Sequence, residues 1–502
     1  MSNHQIDFIL AIDQGTTGTT VLVIERDGGI RARTCLEFRQ HYPRPGWVEH
    51  DADEIIDVTV RAVGDALAAA VVSASDIHAI GISNQRETVV LWDRATGAPV
   101  APAIVWQDRR TADVCEALKR DGREGLVREK TGLVLDPYFS ATKLAWLLDH
   151  NDGLRARAAR GELAFGTVDA WLLHRLTGGA THTTDETNAS RTLLYDIHKR
   201  RWDEELLALF DIPAALLPAV APSAHVFGET DPAALCGIRA PIAGIAGDQQ
   251  AALFGHGCHR AGLAKNTYGT GSFLLLNTGD EAIVSQERLL TTSACGFENE
   301  SPQYALEGAI FTTGAAVQWL RDGLGIINDA TETEALAASA PNNGNVYFVP
   351  ALAGLGAPHW DPHARGLLIG LTRGTGRAEI ARAVLESIAY RTRDLTLAME
   401  RESGVALATL RCDGGGSNNG FLMQFQANML GVPVETPELT DVTALGAACL
   451  AGIASGFWST DDAPFADRLP MRRYEPQMPD TARDVLYERW LDALARSRDW
   501  AP

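Results

Sequence analysis

The sequence predicts a two-domain α/β protein, and three observations support this prediction. The chain has 502 residues, which is too many for one hydrophobic core, so two domains are expected. Segments typical of strands are mixed along the whole chain with segments of helical periodicity, which favours an α/β fold. A strand, a glycine-threonine turn and a second strand open the chain, and the same pattern restarts at Gly262. We therefore predict domains at residues 1–256 and 257–502.

The two glycine-threonine turns are of the same kind and lie about half the chain apart. The first spans residues 13–20 (DQGTTGTT) and the second spans residues 267–272 (TYGTGS). Each lies between apolar β-prone runs, which predicts a β-hairpin. Glycine lets the backbone approach a ligand, and successive N–H groups in such a turn form a concavity that binds anions. A matched pair favours a clamp on a polyphosphate over two ordinary turns.

The other elements are predicted from the spacing of apolar residues. Further strands are expected at residues 30–38, 77–83, 88–92, 244–248 and 410–412. Helices are expected at residues 53–72, 143–148, 249–254, 379–390 and from Phe421 onward.

The composition excludes several classes of protein. The formal net charge of -20 repels nucleic acid phosphates and anionic membranes, so we expect no nucleic-acid partner and no membrane insertion. Seven scattered cysteines without a C-x-x-C pair favour a reducing compartment over a zinc site or a disulfide framework. The apolar run before Asp13 is too short for a signal peptide. We therefore predict a cytoplasmic protein.

Two aspartates follow predicted strands. A lone carboxylate at Asp13, beside the first turn, is costly unless it meets a cation. Mg²⁺ prefers carboxylate and phosphate oxygens, so Asp13 is a candidate Mg²⁺ ligand, with a cap of its own turn as the alternative. Asp248 lies between a strand and a helix, where ligands bind in open α/β sheets but where aspartate is also a favoured cap. In the catalytic interpretation, Asp248 accepts the proton of a hydroxyl that attacks the γ-phosphate of ATP.

Arg86 and Glu87 are adjacent, so a regular strand would point them to opposite faces. At the irregular tip of a hairpin both could face one ligand, and a guanidinium with a carboxylate matches vicinal hydroxyls. The residues alone favour a surface ion pair instead. Trp106, Tyr138 and Phe273 lie near these motifs, but each taken singly is interpreted as a core aromatic.

Together the motifs resemble the FGGY family of carbohydrate kinases over nearly the whole chain. The stretches that carry the resemblance are residues 13–17, 45–50, 84–88, 136–140, 247–250, 266–271 and 421–426, with two longer signatures at 138–150 and 366–386. The resemblance implies a duplicated ribonuclease-H-like fold, as in actin and hexokinase. It also implies that ATP and the substrate bind in the cleft between the two domains.

The activity implied by the resemblance is ATP-dependent phosphorylation of glycerol, with Asp248 as general base and with Mg²⁺ held by Asp13 and Asp248. The implied substrate-binding residues are Arg86, Glu87, Trp106, Tyr138, Asp248, Gln249 and Phe273. The implied nucleotide-binding residues are Asp13, Thr16, Thr17, Thr270, Gly314, Gln318, Gly415 and Asn419. We also expect a homodimer or homotetramer.

Two alternatives and three departures from the family stay open. The alternatives are an FGGY kinase for another small polyol or sugar, and an actin-like ATPase switch without polyol kinase activity. Thr20 stands where many members carry an arginine near the phosphates, and Gly420 replaces a common asparagine near the adenosine. Gly237 and Arg239 keep part of the loop through which fructose 1,6-bisphosphate inhibits bacterial relatives, so allosteric inhibition there is a hypothesis.

Overall fold

The computed structural model describes residues 8–501. Strands of the first half are β1 (Phe8–Gln14), β2 (Gly18–Glu25), β3 (Ile30–Glu37), β4 (Glu49–His50), β5 (Ile77–Asn84), β6 (Val90–Asp93), β7 (Ala103–Ile104), β8 (Leu163–Gly166), β9 (Thr183–Asp185), β10 (Tyr195–Asp196), β11 (Arg201–Trp202), β12 (Ala219–Ala221), β13 (Ala224–Glu229) and β14 (Pro241–Gly247). Helices of the first half are α1 (Ala52–Ala70), α2 (Ala112–Arg120), α3 (Glu124–Thr131), α4 (Ser140–His150), α5 (Leu154–Ala159), α6 (Val168–Leu176), α7 (Glu186–Ala189), α8 (Glu204–Leu209) and α9 (Asp248–Gly255).

The second half continues with the same mixture of elements. Its strands are β15 (Leu263–Tyr268), β16 (Ser272–Gly279), β17 (Leu290–Ser293), β18 (Tyr304–Ile310), β19 (Tyr347–Val349), β20 (Leu367–Ile369), β21 (Thr409–Asp413), β22 (Val434–Pro437) and β23 (Met471–Tyr474). Its helices are α10 (Gly314–Gln318), α11 (Glu332–Ser339), α12 (Arg377–Ser403), α13 (Gly420–Leu430), α14 (Val442–Ala454) and α15 (Asp480–Ser497).

Each half forms one large mixed sheet, and the two sheets repeat one strand order. The first sheet runs β13-β14-β5-β1-β2-β3, and the second runs β17-β18-β16-β15-β21-β22-β23. In each, an antiparallel hairpin is extended on one side by an antiparallel strand and on the other by two parallel strands. The series β3-β2-β1-β5-β14 therefore corresponds to β18-β16-β15-β21-β22. This repeat confirms the predicted duplicated α/β fold.

Both predicted hairpins are present, and each needs glycine for a close approach of strands. In the β1–β2 turn, the N–H of Gly15 donates to the carbonyl of Gly18 at 2.9 Å. A Cβ atom on Gly18 would lie 2.7 Å from the carbonyl oxygen of Leu36. In the β15–β16 turn, a Cβ atom on Gly271 would lie 2.5 Å from the carbonyl oxygen of Ile310. In both halves, then, glycine lets the third strand come close to the turn.

Helix α14 belongs to the second half of the chain but lies against the first sheet. Its apolar residues share one buried core with Ile9 and Ala11 of β1 and with Leu22 of β2. A helix of the second half of the chain therefore packs on the sheet of the first half. The predicted domain bounds, 1–256 and 257–502, remain a prediction, and within them residues 1–7 and 502 lie outside the described part.

Among residues 8–501, no helix is both long and apolar enough to cross a lipid bilayer. All seven cysteines are free thiols, of which Cys35 and Cys236 are exposed and the other five are buried.

Candidate functional site

The candidate site lies where three parallel strands of the first sheet end. Asp13 of β1 is opposite Ser83 of β5, which in turn is opposite Ala246 of β14. The carboxyl ends of these strands therefore meet at one edge, which is where ligands bind in open α/β sheets. Arg86 follows β5, and Asp248 follows β14 and opens helix α9. Strand pairing thus brings together residues that are far apart in the sequence.

The guanidinium of Arg86 is the centre of the polar contacts at this edge. Its Nη1 donates to Oε2 of Glu307 at 2.6 Å and to Oε1 of Gln250 at 3.1 Å. Its Nη2 donates to Oε1 of Glu307 at 3.1 Å and to the hydroxyl of Tyr138 at 3.4 Å. Its Nε lies 3.3 Å from Oδ1 of Asp248. Three residues predicted to bind substrate are thereby in direct contact.

Glu87 turns toward the same site because its backbone is left-handed, with φ of 62°. Its Oε1 lies 3.8 Å from Nε of Arg86. The backbone at residues 86–87 is irregular, which allows both side chains to face one ligand. It is not the tip of a hairpin, because β6 pairs with β8 and not with β5. The surface ion pair that the residues alone favour is wrong, since both side chains are only 2% exposed.

Two further charged residues, Arg191 and Glu307, join Arg86 and Glu87 in a buried chain of ion pairs. Nε of Arg191 donates to Oε1 of Glu87 at 2.6 Å, and its Nη2 donates to Oε1 of Glu307 at 2.9 Å. Burial raises the pKa of Glu87 despite the two guanidiniums. Burial also opposes ionisation of Glu307, but Arg191 and Arg86 outweigh it and lower the pKa of Glu307 to about 2. Glu307 is therefore a fixed negative charge at neutral pH.

Two aromatic residues, Trp106 and Tyr138, connect the buried ion pairs to the first hairpin. Nε1 of Trp106 donates to Oγ1 of Thr16 at 2.9 Å. The ring of Trp106 meets that of Tyr138 edge to face, with centroids 5.6 Å apart. Lys143 of α4 holds the Tyr138 segment, because its Nζ donates to the carbonyls of residues 137, 138 and 139. Trp106 and Tyr138 are only half-buried, so the interpretation as ordinary core aromatics does not describe them.

One face of the second sheet is turned toward the same edge. Nζ of Lys265 on β15 donates to Oε1 of Gln249 and, at 3.0 Å, to Oγ1 of Thr267. Phe273 of β16 is opposite Thr267, and Glu307 lies two places along β18 from the residue opposite Phe273. Because side chains two apart share a face, Phe273 and Glu307 lie on the face that carries Lys265. Burial lowers the pKa of Lys265 to about 8.

Asp13 has the properties of a cation ligand. Burial raises the pKa of Asp13 to about 7, the hydroxyl of Ser83 opposes this by donating at 2.8 Å, and the carboxylate of Asp248 raises it further. A carboxylate with this penalty is stabilised by a bound cation. Within residues 8–501, no group of three or more His, Cys, Asp or Glu side chains could hold a metal. Two carboxylates fit Mg²⁺, which takes one or two of them with substrate phosphates.

A cavity of about 380 Å³ lies beside the second hairpin. It is lined by five predicted nucleotide-binding residues, which are Thr270, Gly314, Gln318, Gly415 and Asn419. Its apolar wall is formed by Val317, Leu385, Ile388 and Leu422. An apolar cavity of this size with a few polar groups is typical of a site for a small molecule.

Two of the cavity residues also have structural roles. Oδ1 of Asn419 accepts the N–H of Leu422 at 2.9 Å and so caps helix α13, and its Nδ2 donates to Oγ1 of Thr333 at 3.2 Å. A Cβ atom on Gly314 would lie 2.5 Å from the carbonyl oxygen of Gly269. Glycine at position 314 therefore lets helix α10 approach the second hairpin.

The structure shows what surrounds Gly420 and Thr20, the two positions that depart from the family near the nucleotide. A Cβ atom on Gly420 would lie 2.8 Å from Oε1 of Glu334, so that carboxylate occupies space an asparagine side chain would need. Thr20 lies on β2, and Arg33 on the neighbouring strand β3 forms a bidentate ion pair with Asp441 at 2.9 and 3.0 Å.

Other predicted residues lie elsewhere. Thr17 is exposed in the first hairpin, away from the cavity of the second half. Gly237 and Arg239 lie in the segment between β13 and β14, where Nη1 of Arg239 makes an exposed ion pair with Glu229 at 2.8 Å.

The sequence prediction missed four buried residues of the site, which are Arg191, Gln250, Lys265 and Glu307. A single charge inside an apolar strand was a usable indication for two of them, since Glu307 lies in YALEGAI and Lys265 in LAKNTY. No local pattern indicated Arg191.

The chain is similar to known proteins over nearly its whole length. Models of the FGGY family of carbohydrate kinases match residues 8–255 (N-terminal domain) and 264–455 (C-terminal domain). A glycerol kinase of Symbiobacterium thermophilum is 56% identical over 495 residues, and a glycerol kinase 2 of Thermotoga maritima is 55% identical over 494; each alignment covers 98% of this chain and 99% of the relative. The crystal structure of Plasmodium falciparum glycerol kinase with ADP superposes with a TM-score of 0.94 at 36% identity, covering 98% of both chains.

Proposed function

We propose, for a chain that belongs to the FGGY family of carbohydrate kinases, that it transfers the γ-phosphoryl group of ATP to glycerol. The products are sn-glycerol 3-phosphate and ADP. The observation that carries the proposal is the buried Arg86–Glu87 pair beside Asp248. A planar guanidinium donor and a carboxylate acceptor match two vicinal hydroxyls, and a further carboxylate is then available for the third, attacking hydroxyl.

Asp248 is the proposed general base. Its Oδ1 accepts the N–H of Gln249 at 2.7 Å and lies 3.3 Å from Nε of Arg86, while its side chain remains 30% exposed. These contacts orient the carboxylate at the end of β14 without burying it. In this role Asp248 accepts the proton of the glycerol hydroxyl while the hydroxyl oxygen attacks phosphorus. General base catalysis of this kind typically raises the rate ~10²–10⁴-fold.

The proposed nucleotide site is the cavity of the second half, with the polyphosphate between the two hairpins. Thr16 and Thr17 of the first turn and Thr270 of the second turn would bind the phosphates through hydroxyl and backbone N–H groups. Asp13 and Asp248 are the residues that would hold Mg²⁺, which supplies neutralisation of charge on the transferring phosphoryl group. Approach of the two halves would exclude water, so that glycerol and not water accepts the phosphoryl group.

The geometry of the site does not bear on oligomeric state, cellular location or inhibition. A homodimer or homotetramer, a cytoplasmic location and inhibition through Gly237 and Arg239 remain predictions. Size-exclusion chromatography and a titration of activity with fructose 1,6-bisphosphate test the first and the last of them.

A purified-protein substrate panel tests the proposed function. We expect ADP release with Mg²⁺ and ATP to depend on glycerol and to exceed that with erythritol, xylulose or gluconate. Chelation of divalent cations with EDTA is expected to stop the reaction, and added Mg²⁺ to restore it. Preference for another member of the panel would favour a different FGGY substrate. Binding and hydrolysis of ATP without any effect of polyol would favour an actin-like switch.

Arg86→Lys is expected to weaken glycerol binding selectively. Lysine keeps the positive charge but lacks the planar fork of guanidinium donors. Loss of one or two hydrogen bonds to or from a charged group corresponds to a rise in KM for glycerol of about tenfold or more. We expect the KM for ATP to stay within about twofold, since the polar partners of Arg86 within residues 8–501 include none of the proposed nucleotide-binding residues.

Arg411→Lys is the matched control for Arg86→Lys. Nε of Arg411 also bonds a buried glutamate, Glu435, at 3.0 Å, but within residues 8–501 Arg411 has no hydrogen bond or ion pair with Arg86, Glu87 or Asp248. The control is expected to leave KM for glycerol unchanged. An Arg86→Lys enzyme with a normal KM for glycerol would remove Arg86 from hydroxyl recognition.

A further inference from the structure

The buried chain of ion pairs crosses from one half of the molecule to the other. Arg86, Glu87 and Arg191 belong to the first half, whereas Glu307 lies on β18 of the second sheet. Both oxygens of Glu307 are used: Oε2 accepts from Arg86 at 2.6 Å, and Oε1 accepts from Arg86 at 3.1 Å and from Arg191 at 2.9 Å. A single carboxylate of the second half therefore holds two guanidiniums of the first.

The orientation of the Glu87 carboxylate depends on the same buried ion pairs. Oε1 of Glu87 accepts from Nε of Arg191 at 2.6 Å, and Arg191 is itself held by Glu307 through Nη2. The remaining donor group of Arg191, Nη1, is buried and has no hydrogen-bond partner among residues 8–501. The guanidinium of Arg191 is therefore positioned by the two carboxylates and by packing near the rings of Phe139 and Tyr138, 5.3 and 5.6 Å from their centroids.

We propose that Glu307 and Arg191 are positioning residues of the polyol site. Glu307 fixes the guanidiniums of Arg86 and Arg191, and Arg191 in turn fixes the carboxylate of Glu87, so that donor and acceptor face the same pair of hydroxyls. The inference rests on the proposed function, because it concerns how that site reads its substrate. Since Glu307 comes from the second sheet, hydroxyl recognition depends on the two halves being held together at this point.

Charge balance explains why the loss of Glu307 would act on recognition. Without it, Glu87 is the one buried carboxylate within residues 8–501 that stays in ion-pair contact with both guanidiniums, while the partly exposed Asp248 lies beside Arg86 alone. Glu87 would then be drawn between Arg86 and Arg191 and away from a hydroxyl. Arg86 would also lose the two hydrogen bonds that fix its planar fork.

Glu307→Gln and Arg191→Lys test the inference. Glycerol affinity is measured calorimetrically without nucleotide, and KM and kcat are measured for glycerol and for propane-1,2-diol, which lacks one hydroxyl. For both variants we expect Kd and KM for glycerol to rise about tenfold or more, as for the loss of hydrogen bonds to or from charged groups. We expect kcat to change less than about threefold and KM for ATP less than about twofold, because neither residue contacts the reacting atoms.

The comparison of the two substrates separates positioning from a general structural role. A site built to bond a hydroxyl strongly rejects an analogue that lacks it. We therefore expect the ratio of kcat/KM for glycerol to that for propane-1,2-diol to fall about tenfold or more in both variants. A loss of folded protein would lower activity toward both substrates equally and leave this ratio unchanged.

Glu435→Gln is the matched control. Glu435 is also a buried carboxylate of the second sheet held by two guanidiniums, but these belong to Arg411 and Arg473 and not to Arg86 or Arg191. It is expected to leave glycerol affinity and the substrate ratio unchanged. If Glu307→Gln does not fold, Arg191→Lys, which keeps the charge, decides the outcome.

The outcomes distinguish this inference from the proposed function. Wild-type protein that does not phosphorylate glycerol refutes the proposed function and with it this inference. An active wild type together with unchanged glycerol affinity and an unchanged substrate ratio in the folded variants refutes the positioning roles alone.

Discussion

Asp248→Asn is expected to lower kcat by at least ~10²-fold while glycerol still binds. Asparagine is nearly the same size, and its side-chain oxygen can still accept the N–H of Gln249, which bonds Oδ1 of Asp248 at 2.7 Å. An amide cannot take the proton of the attacking hydroxyl, so the expected loss is in turnover. A modest change in glycerol affinity is also expected, because Nε of Arg86 loses a charged neighbour at 3.3 Å.

The measurements are kcat from coupled ADP release and glycerol affinity from calorimetry. Asp480→Asn is a suitable control, since Asp480 also opens a helix, α15, but its side chain is 80% exposed. That substitution is expected to leave both quantities unchanged. Near-normal turnover of Asp248→Asn would assign the proton transfer to another group.

Asp13→Asn is expected to remove most of the activity and yet to stabilise the ligand-free protein above neutral pH. The pKa of Asp13 is raised by burial from 3.8 to about 7 in the folded state. The folded protein therefore binds a proton more tightly than the unfolded chain does. The stability associated with protonated Asp13 is complete below pH 3.8 and is lost as the pH rises through about 7.

The size of this effect follows from the two pKa values. They differ by roughly three pH units, each worth about 1.4 kcal/mol, so the neutral amide would stabilise the folded state by at most about 4 kcal/mol at pH 8. The side chain is not fully enclosed, so solvent reduces the gain below this limit. At pH 5.5 the gain is expected to be smaller. The free-energy cost of Asp13 to the folded wild type grows as the pH rises toward about 7, and at pH 5.5 only part of it is present.

Urea unfolding of the ligand-free proteins at pH 5.5, 7 and 8 measures the gain, and ADP release measures the activity. Added Mg²⁺ and ATP should raise the unfolding midpoint of the wild type but not that of Asp13→Asn. Asp480→Asn serves again as a control without a pH-dependent gain. An Asp13→Asn protein that keeps full activity would contradict the assignment of Asp13 as a cation ligand.

The sequence predicted the local elements of the fold well, because their causes are local. The hairpins at residues 13–20 and 267–272 follow from glycine at positions where a neighbouring strand comes close. The helices expected from apolar periodicity at residues 53–72 and 379–390 are present as α1 and α12, although α12 continues to Ser403. The restart of the strand–turn–strand pattern in the second half was also predicted, and each hairpin lies in its own sheet.

The crossing of α14 to the first sheet could not be predicted in this way. Its 13 residues, from Val442 to Ala454, are hydrophobic or small on nearly every side, so their pattern does not say which sheet they cover. Similarly, β6 was predicted correctly as a strand, but its pairing with β8 depends on residues about 70 positions further along the chain.

The sequence by itself indicated where Asp13 and Asp248 lie, because Asp13 is near the end of β1, Asp248 follows β14, and the ends of parallel strands meet at one edge. Only the tertiary structure decided the state of Arg86 and Glu87, which the residues alone favoured as a surface ion pair. Their burial depends on Arg191 and on Glu307, which lies 221 positions from Arg86. Ion pairs between distant segments leave no periodic pattern in the sequence, since a charge becomes stable in the interior only when folding brings its partner to it.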